Sequence, residues 1–367
     1  MTEWLRTKLG DVCPFVYGKS LPSTTRDAQG KIPVYGSNGE VGKHTEACVL
    51  EPGVIVGRKG SVGEVHFSSE DFWPIDTTFY VVGSSTCDVK FAYYLLKSLD
   101  LRSMNSDSAI PGLNRDAAHS LEVSLPPLAE QRAIAGVLGA LDDKIESNRR
   151  IVHQLNQLLL AHSISLSTLP VVPLREVSQS YRRPVNPLVL GDQLVDHFSL
   201  PAFDATAMPE RCRASSIMSG KFGIETTSIL ISRLNPGTPR VWCVQVREVP
   251  AMCSSEFLVL EPLNMSTVGA LWLAAVHPTL GEQMVQRATG TSFSHQRIRS
   301  DDALSVEVPD IRLIGAKAQA ECDDLLSAVG KRRDESQTLA RLRDALLPEL
   351  LSGRLRVRDA ESLLEGV

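Results

Sequence analysis

The amino-acid sequence predicts an α+β chain in which two pseudo-repeated, β-rich α/β domains are joined by two long helices. Three observations carry this reading. The same order of short segments is written twice along the 367 residues. Within each copy, Gly- and Pro-punctuated strand signals precede helix signals, the order of an α+β domain and not of a wound parallel sheet. Each copy then runs into a long helical stretch, and the first of these carries apolar residues at heptad spacing.

The duplication can be followed segment by segment. Leu9-Gly10-Asp11-Val12 opens the first copy and Leu174-Arg175-Glu176-Val177 the second. Gly53-Val54-Ile55-Val56-Gly57-Arg58 reads like Ser228-Ile229-Leu230-Ile231-Ser232-Arg233. Phe79-Tyr80-Val81-Val82 matches Phe257-Leu258-Val259-Leu260, and Leu121-Glu122-Val123-Ser124-Leu125-Pro126 matches Leu304-Ser305-Val306-Glu307-Val308-Pro309. The offset grows along the chain, so the second copy carries insertions. Four matches in the same order make a duplication, and a repeat this large sets the architecture.

In chain order, strands are expected near residues 32–35, 47–50, 54–56, 62–67 and 78–82, then a helix over about 89–99. Pro126-Pro127-Leu128-Ala129-Glu130-Gln131-Arg132 opens the first long helix. From there Ile134, Leu138, Leu141, Ile145, Asn148, Val152, Leu155 and Leu159 alternate steps of four and three, about four heptads of a coiled-coil seam. Asn148 on that seam costs stability but fixes register. The second copy predicts strands near 229–231, 241–246 and 257–260 and a helix at 268–276. A helical stretch over 325–351 closes the chain, with Arg332 and Ser336 interrupting its apolar pattern. The expected domains are residues 1–125, 126–165, 166–310 and 311–367.

Composition bounds the function. The hydrophobic fraction of 43% with 22% charged residues is that of an ordinary globular protein. No apolar run is long enough to span a membrane. The opening Met1-Thr2-Glu3-Trp4-Leu5-Arg6 lacks the pattern of a signal peptide. The seven cysteines are scattered with no Cys-x-x-Cys pair, so neither disulfides nor structural zinc are expected, and a reducing cytoplasm fits. The net charge is −5; residues 1–125 carry 12 basic and 15 acidic side chains and residues 166–310 carry 12 and 14. Bulk charge thus gives no support for nucleic-acid binding, and any such surface must be a local cluster of cations.

Two loops of the first copy offer such clusters. Residues 35–43 form a glycine-punctuated turn with Tyr35, Ser37 and Asn38, and residues 58–63 set Arg58 and Lys59 beside Ser61. Loops of this kind let a sugar-phosphate backbone approach and offer N–H, hydroxyl and cationic donors. They also read as plain β-hairpin turns. The second copy offers Arg182-Arg183, Arg233 with Asn235, and Thr291, Ser292, His295 and Arg297 in a segment rich in hydroxyls and amides. That segment suits base edges or phosphates, or simply a polar surface loop.

No catalytic motif survives inspection. Residues 36–43 miss the phosphate-loop spacing, with His44 where Ser or Thr is needed. Asn235-Pro236-Gly237 and Asn186-Pro187-Leu188 lack the second proline and aromatic of an amino-methyltransferase motif. Asp142-Asp143-Lys144 has a nuclease-like spacing but lies within the long helix and reads as a solvated face. The chain reads as one that binds and does no chemistry.

Taken together the residues resemble the specificity subunit of type I restriction-modification systems. The resemblance rests on Gly18-Lys19-Ser20-Leu21-Pro22, Ile32-Pro33-Val34-Tyr35-Gly36-Ser37-Asn38-Gly39, Gly57-Arg58-Lys59-Gly60-Ser61 and Ala109-Ile110-Pro111-Gly112-Leu113-Asn114. It rests above all on Pro126-Pro127-Leu128-Ala129-Glu130-Gln131, and in the second half on Cys253-Ser254-Ser255-Glu256-Phe257, Gly290-Thr291-Ser292-Phe293-Ser294 and Leu350-Leu351-Ser352-Gly353-Arg354-Leu355. It implies two target-recognition domains, each reading half of a split double-stranded DNA site. The helical spacers pair as an antiparallel coiled coil and hold two methyltransferase subunits, to which restriction subunits are added. S-adenosylmethionine, ATP and Mg belong to those partners, and no cofactor to this chain. On this resemblance Lys19, Ser20 and the loop residues named above meet DNA. Ile134, Leu138, Leu141, Ile145, Leu155, Leu339, Leu342 and Leu346 are assigned to partner binding. The second helix departs from the pattern, with Pro309-Asp310-Ile311-Arg312-Leu313 in place of Pro-Leu-x-Glu-Gln. A helix of about 35 residues spans roughly 50 Å, or some 15 base pairs, enough to seat two readers more than a DNA turn apart. The rival readings are a stand-alone DNA-binding or scaffold protein and an enzyme with an unrecognised site.

Overall fold

The computed structural model describes residues 4–104, 112–247, 249–263, 266–290 and 296–364. They form two compact units, one of Met1–Ile145 with Gln337–Val367 and one of Glu146–Ser336.

The first unit is built on a four-stranded antiparallel sheet, ordered Val16–Tyr17, Thr78–Val82, Gly53–Gly57, Val65–Ser68. Gly53–Gly57 is buried throughout, because Val54 and Val56 enter the main core while Ile55 joins Val49 and Phe72 on the other face. The helix Val89–Ser98, capped by Asp88, lays Phe91, Tyr94, Leu95 and Leu96 into the same core. A three-stranded sheet of Gly39–His44, Ile32–Gly36 and Trp73–Pro74 stands beside it in sequence. The expected strand at 47–50 is reduced to one bridge, Val49 with Phe72. Leu5–Lys8 pairs with Glu122–Leu125.

The second unit repeats the plan. Its four-stranded sheet runs Ser178–Tyr181, Phe257–Pro262, Ser228–Ser232, Val241–Val244, and Val171–Pro173 pairs with Glu307–Pro309. Even the joint recurs: Leu9 N donates to Leu121 O and Leu174 N to Val306 O, both at 2.8 Å. The insertions form a five-stranded sheet absent from the sequence reading. Its order is Pro184–Val185, Lys221–Ile224, Ala251–Ser254, Leu194–Phe198, Glu210–Arg213, with a parallel pair between Leu194–Phe198 and Ala251–Ser254.

The long helices are Leu128–Ser165 and Ala316–Leu351. In the first unit Ile134, Leu138, Leu141 and Ile145 share a core with Leu339, Leu346 and Leu350. In the second, Val152, Leu155 and Leu159 pack with Cys322, Leu326 and Val329. Early residues of one helix thus meet late residues of the other, the pairing of an antiparallel coiled coil. The partner-binding assignment changes accordingly. Ile134, Leu138, Leu141, Ile145, Leu339 and Leu346 are buried in the chain's own core, and Leu155 and Leu342 lie against it.

The second helix begins at Ala316, earlier than its apolar pattern indicates. A buried glutamine explains where. Gln131 Oε1 accepts from Asp88 N, and its Nε2 donates to Thr86 O and Pro126 O, each at 2.9 Å. Gln319 Oε1 likewise accepts from Thr267 N at 2.9 Å while Nε2 donates to Ile314 O at 2.8 Å. Asp88 and Thr267 cap equivalent helices. Gln319 therefore does the work of Gln131 without the surrounding motif.

Asp142 is no solvated face. Its Oδ2 accepts from the Tyr94 hydroxyl at 2.7 Å and its Oδ1 from Arg343 at 2.6 Å. Asn148 behaves as a seam polar residue in one respect and not in another. It is 0% exposed, and neither its Oδ1 nor its Nδ2 has a hydrogen-bond partner. An unpaired buried amide costs about 1–3 kcal/mol. Asn148→Leu is therefore expected to stabilise the chain by about 1–2 kcal/mol, read as a higher urea midpoint at unchanged slope. A lower midpoint would mean that the amide has partners in solution.

Candidate nucleic-acid interface

In the first unit one short segment gathers the candidate loops. The Thr77 carbonyl accepts from Arg58 N at 2.9 Å, Lys59 N at 3.1 Å and the Ser37 hydroxyl at 2.6 Å. Lys19 N donates to Pro74 O at 2.9 Å and Gly18 N to Thr78 O at 3.1 Å. Residues 74–78, unremarked in the sequence reading, thus hold the loops at 18–20, 37–38 and 58–59 together. Gly57 permits this folding, since a Cβ there would stand 2.1 Å from the Ser61 carbonyl.

The side chains then divide. Lys19, Ser20, Asn38 and Lys59 are exposed, and the Lys19 ammonium lies 5.6 Å from the Trp73 ring centre. Ser37 is buried and donates to Thr77, so it organises the loop and is not free to meet DNA, a correction to its assignment. Tyr35 is half-buried edge-on to Phe72, with its hydroxyl pKa raised by burial, and Ser61 is half-buried. The Arg58 guanidinium sits 5.2 Å from the Tyr17 ring centre and 5.9 Å from that of Phe79. Arg115 also reaches the Tyr17 ring at 5.2 Å. Tyr17, Arg58, Lys59, Asn114 and Arg115 line one open groove, with Asp116 among its walls. Two planar guanidiniums beside an exposed phenol ring can bind phosphate oxygens and stack on a base or sugar. Tyr17 and Arg115 were not singled out from the sequence. Asn114, which caps the helix Arg115–His119, closes a motif that was, and Arg115 adjoins it.

The second unit places Arg233 where the first has Arg58. Each follows the central buried strand, and each carbonyl accepts from a residue just before a short helix: Arg58 O from Leu113 N at 2.9 Å, Arg233 O from Ile298 N at 3.0 Å. In both arginines Nε is buried without a partner. Arg233 donates from Nη2 to Ser255 O at 2.6 Å. Its pKa is lowered by burial first, with Glu256 opposing and Arg182 and Arg297 reinforcing. Arg297 binds Glu256 at 2.7 Å, and Arg183 binds Glu225 at 3.2 Å while lying 4.6 Å from the Tyr181 ring centre. Arg182 is exposed. Asn235 adopts φ 51°, in the left-handed region that Asn tolerates better than most residues, and its N–H donates to Gln296 O. Thr291, Ser292 and His295 lie outside the described residues.

The four-stranded sheet is thus duplicated, with an arginine following the central strand of each copy, and the chain is built of two like modules. Residues 1–157 match the family model of the type I restriction modification DNA specificity domain. That match covers 157 of the chain's 367 residues, so the chain resembles this family over less than half of its length. It is similar to the putative type I specificity subunit S.MpnORF638P of Mycoplasma pneumoniae, 25% identical over 176 residues, 46% of each chain. The match therefore spans about half the length of that relative. In fold it is similar to the crystal structure of the type I restriction-modification system S subunit from M. genitalium, with TM-score 0.65 over 95% of this chain and 96% of that one, at 18% identity. No helix among the described residues is long and apolar enough to cross a membrane.

Proposed function

We propose that this chain is the DNA-reading and scaffolding subunit of a cytoplasmic type I restriction-modification complex. Each unit reads one half of a bipartite double-stranded DNA site. Two methyltransferase subunits, and restriction subunits with them, dock on the outward helix faces. S-adenosylmethionine, ATP and Mg act in those partners, and the chain itself catalyses nothing. The observation that carries this reading is the equivalence of Arg58 and Arg233, each directly after the central buried strand and each accepting at its carbonyl from a residue just before a short helix. Phosphate contacts would place each unit on DNA, and neighbouring loop side chains would read base edges.

The test is an exchange of residues 1–125 for the matching block of a relative, followed by methylome sequencing of cells that also carry the methyltransferase. One half of the methylated motif is expected to change completely and the other to stay. A change in both halves, or a continuous motif, overturns the two-reader model. Arg58→Ala and Lys59→Ala are each expected to weaken DNA binding by the partner-bound complex and to reduce the salt slope by about one per lost phosphate contact. Unchanged affinity and slope would return this loop to a hairpin turn.

A further inference from the structure

The grooves around Arg58 and Arg233 stand at the same place in the repeat, and each keeps two arginines there by a different route. Arg182 follows Leu174 by the same eight residues that separate Tyr17 from Leu9. The strand registers agree. Tyr17 pairs with Phe79, which pairs with Val56, two residues before Arg58. Tyr181 pairs with Val259, so Arg182 comes level with Leu258, which pairs with Ile231, two residues before Arg233. Arg115 and Ser300 are likewise equivalent. Each is the first residue of a five-residue helix and stands two residues past the N–H that donates to the Arg58 or Arg233 carbonyl.

Tyr17, Arg58, Phe79 and Arg115 line the first groove, and their four counterparts Arg182, Arg233, Leu258 and Ser300 line the second. The first copy sets its second arginine on the short helix, and the second copy sets it at the end of the edge strand. Carboxylates do not neutralise either groove. On the first wall Asp116 stands 3.5 Å from Arg115 Nε, against Arg58, Lys59 and Arg115. The second groove has no carboxylate on its walls, and Glu256 beside Arg233 is bound by Arg297. The Nε atoms of Arg58, Arg115 and Arg233 are buried without a hydrogen-bond partner. Like charges gathered this way repel until an anion joins them, and the guanidinium fork fits phosphate oxygens.

Size and chemistry narrow the ligand. The first groove has a volume of about 360 Å³ and the second about 110 Å³. The smaller one is below the range of an ordinary small-molecule site, with room for a phosphate group and not for a nucleotide. Stacking is not the shared task, because an arginine replaces the Tyr17 ring in the second copy.

We propose that each groove holds one phosphodiester of the DNA backbone between its two arginines, Arg58 with Arg115 and Arg182 with Arg233, as an anchor that reads no base. This rests on the DNA-reading function proposed above.

The test uses the methyltransferase-bound complex and a duplex carrying the motif methylated in its host. Arg115→Ser and Arg182→Ala are each expected to weaken binding about ten-fold, lower the salt slope by about one and leave the methylated motif unchanged. Tyr17→Arg combined with Arg115→Ser gives the first groove the arrangement of the second and is expected to restore affinity and slope. Neutral methylphosphonates placed singly along the duplex are expected to find one position where the wild type loses affinity and Arg115→Ser loses no more. Wild-type affinity and slope in Arg115→Ser or Arg182→Ala, an altered motif, no such position, or no recovery in the double variant each overturns the anchor while DNA reading stands. A wild-type complex that does not bind the duplex overturns both.

Discussion

Gln131→Leu is expected to lower the stability of the first unit by about 3 kcal/mol, read from urea unfolding. The glutamine is 0% exposed and joins three backbone groups at 2.9 Å: Asp88 N, Thr86 O and Pro126 O. A leucine of similar volume fills the space but leaves all three unpaired away from water. Gln319→Leu removes two such bonds and is expected to cost the second unit about 2 kcal/mol. Equal midpoints for wild type and Gln131→Leu would show that water replaces the amide and that the motif's glutamine has no structural role.

Asp142→Ala is expected to cost about 2 kcal/mol, because it strands the Tyr94 hydroxyl and leaves Arg343 with Asp344 as its remaining carboxylate. A double-mutant cycle with Arg343→Ala should show strong coupling, and additive losses would remove the network from the account. The same network predicts a one-sided pH response. Burial first, then the bond to Asp142, holds the Tyr94 hydroxyl well above the ordinary phenol range. Above pH ~10 the unfolded chain ionises this tyrosine while the folded chain resists, so stability falls as pH rises. Tyr94→Phe should flatten that alkaline decline.

The sequence revealed the duplication because both copies keep strand cores that must be apolar on two faces. Val54-Ile55-Val56 and Ile229-Leu230-Ile231 are buried in full, and full burial leaves a readable run. The seam of the first helix was legible for the same reason. The five-stranded sheet was not, since strands such as Glu210–Arg213 are short and largely exposed. Nor was the start of the second helix, because one glutamine's hydrogen bonds, and no apolar period, locate it. At the candidate interface Arg58 stood out as a cation in a glycine loop. Tyr17 and Arg115 did not, because a ring and a guanidinium far apart in sequence become neighbours only through the sheet and the bond from Leu113 N to Arg58 O.

One consequence concerns the order of synthesis. The first unit takes residues from both ends of the chain, and Leu339, Leu346, Leu350 and Ala360 complete its core. A ribosome delivers those residues after the whole of 146–336. Until then the nascent amino-terminal half waits with Ile134, Leu138 and Leu141 uncovered, while residues 146–336 can already close upon themselves. The usual amino-terminal-first order of folding is therefore expected to be reversed, with the central unit protected from pulse proteolysis before the first. A late nonsense codon would then injure the amino-terminal reader more than the central one, even though its own coding segment is intact.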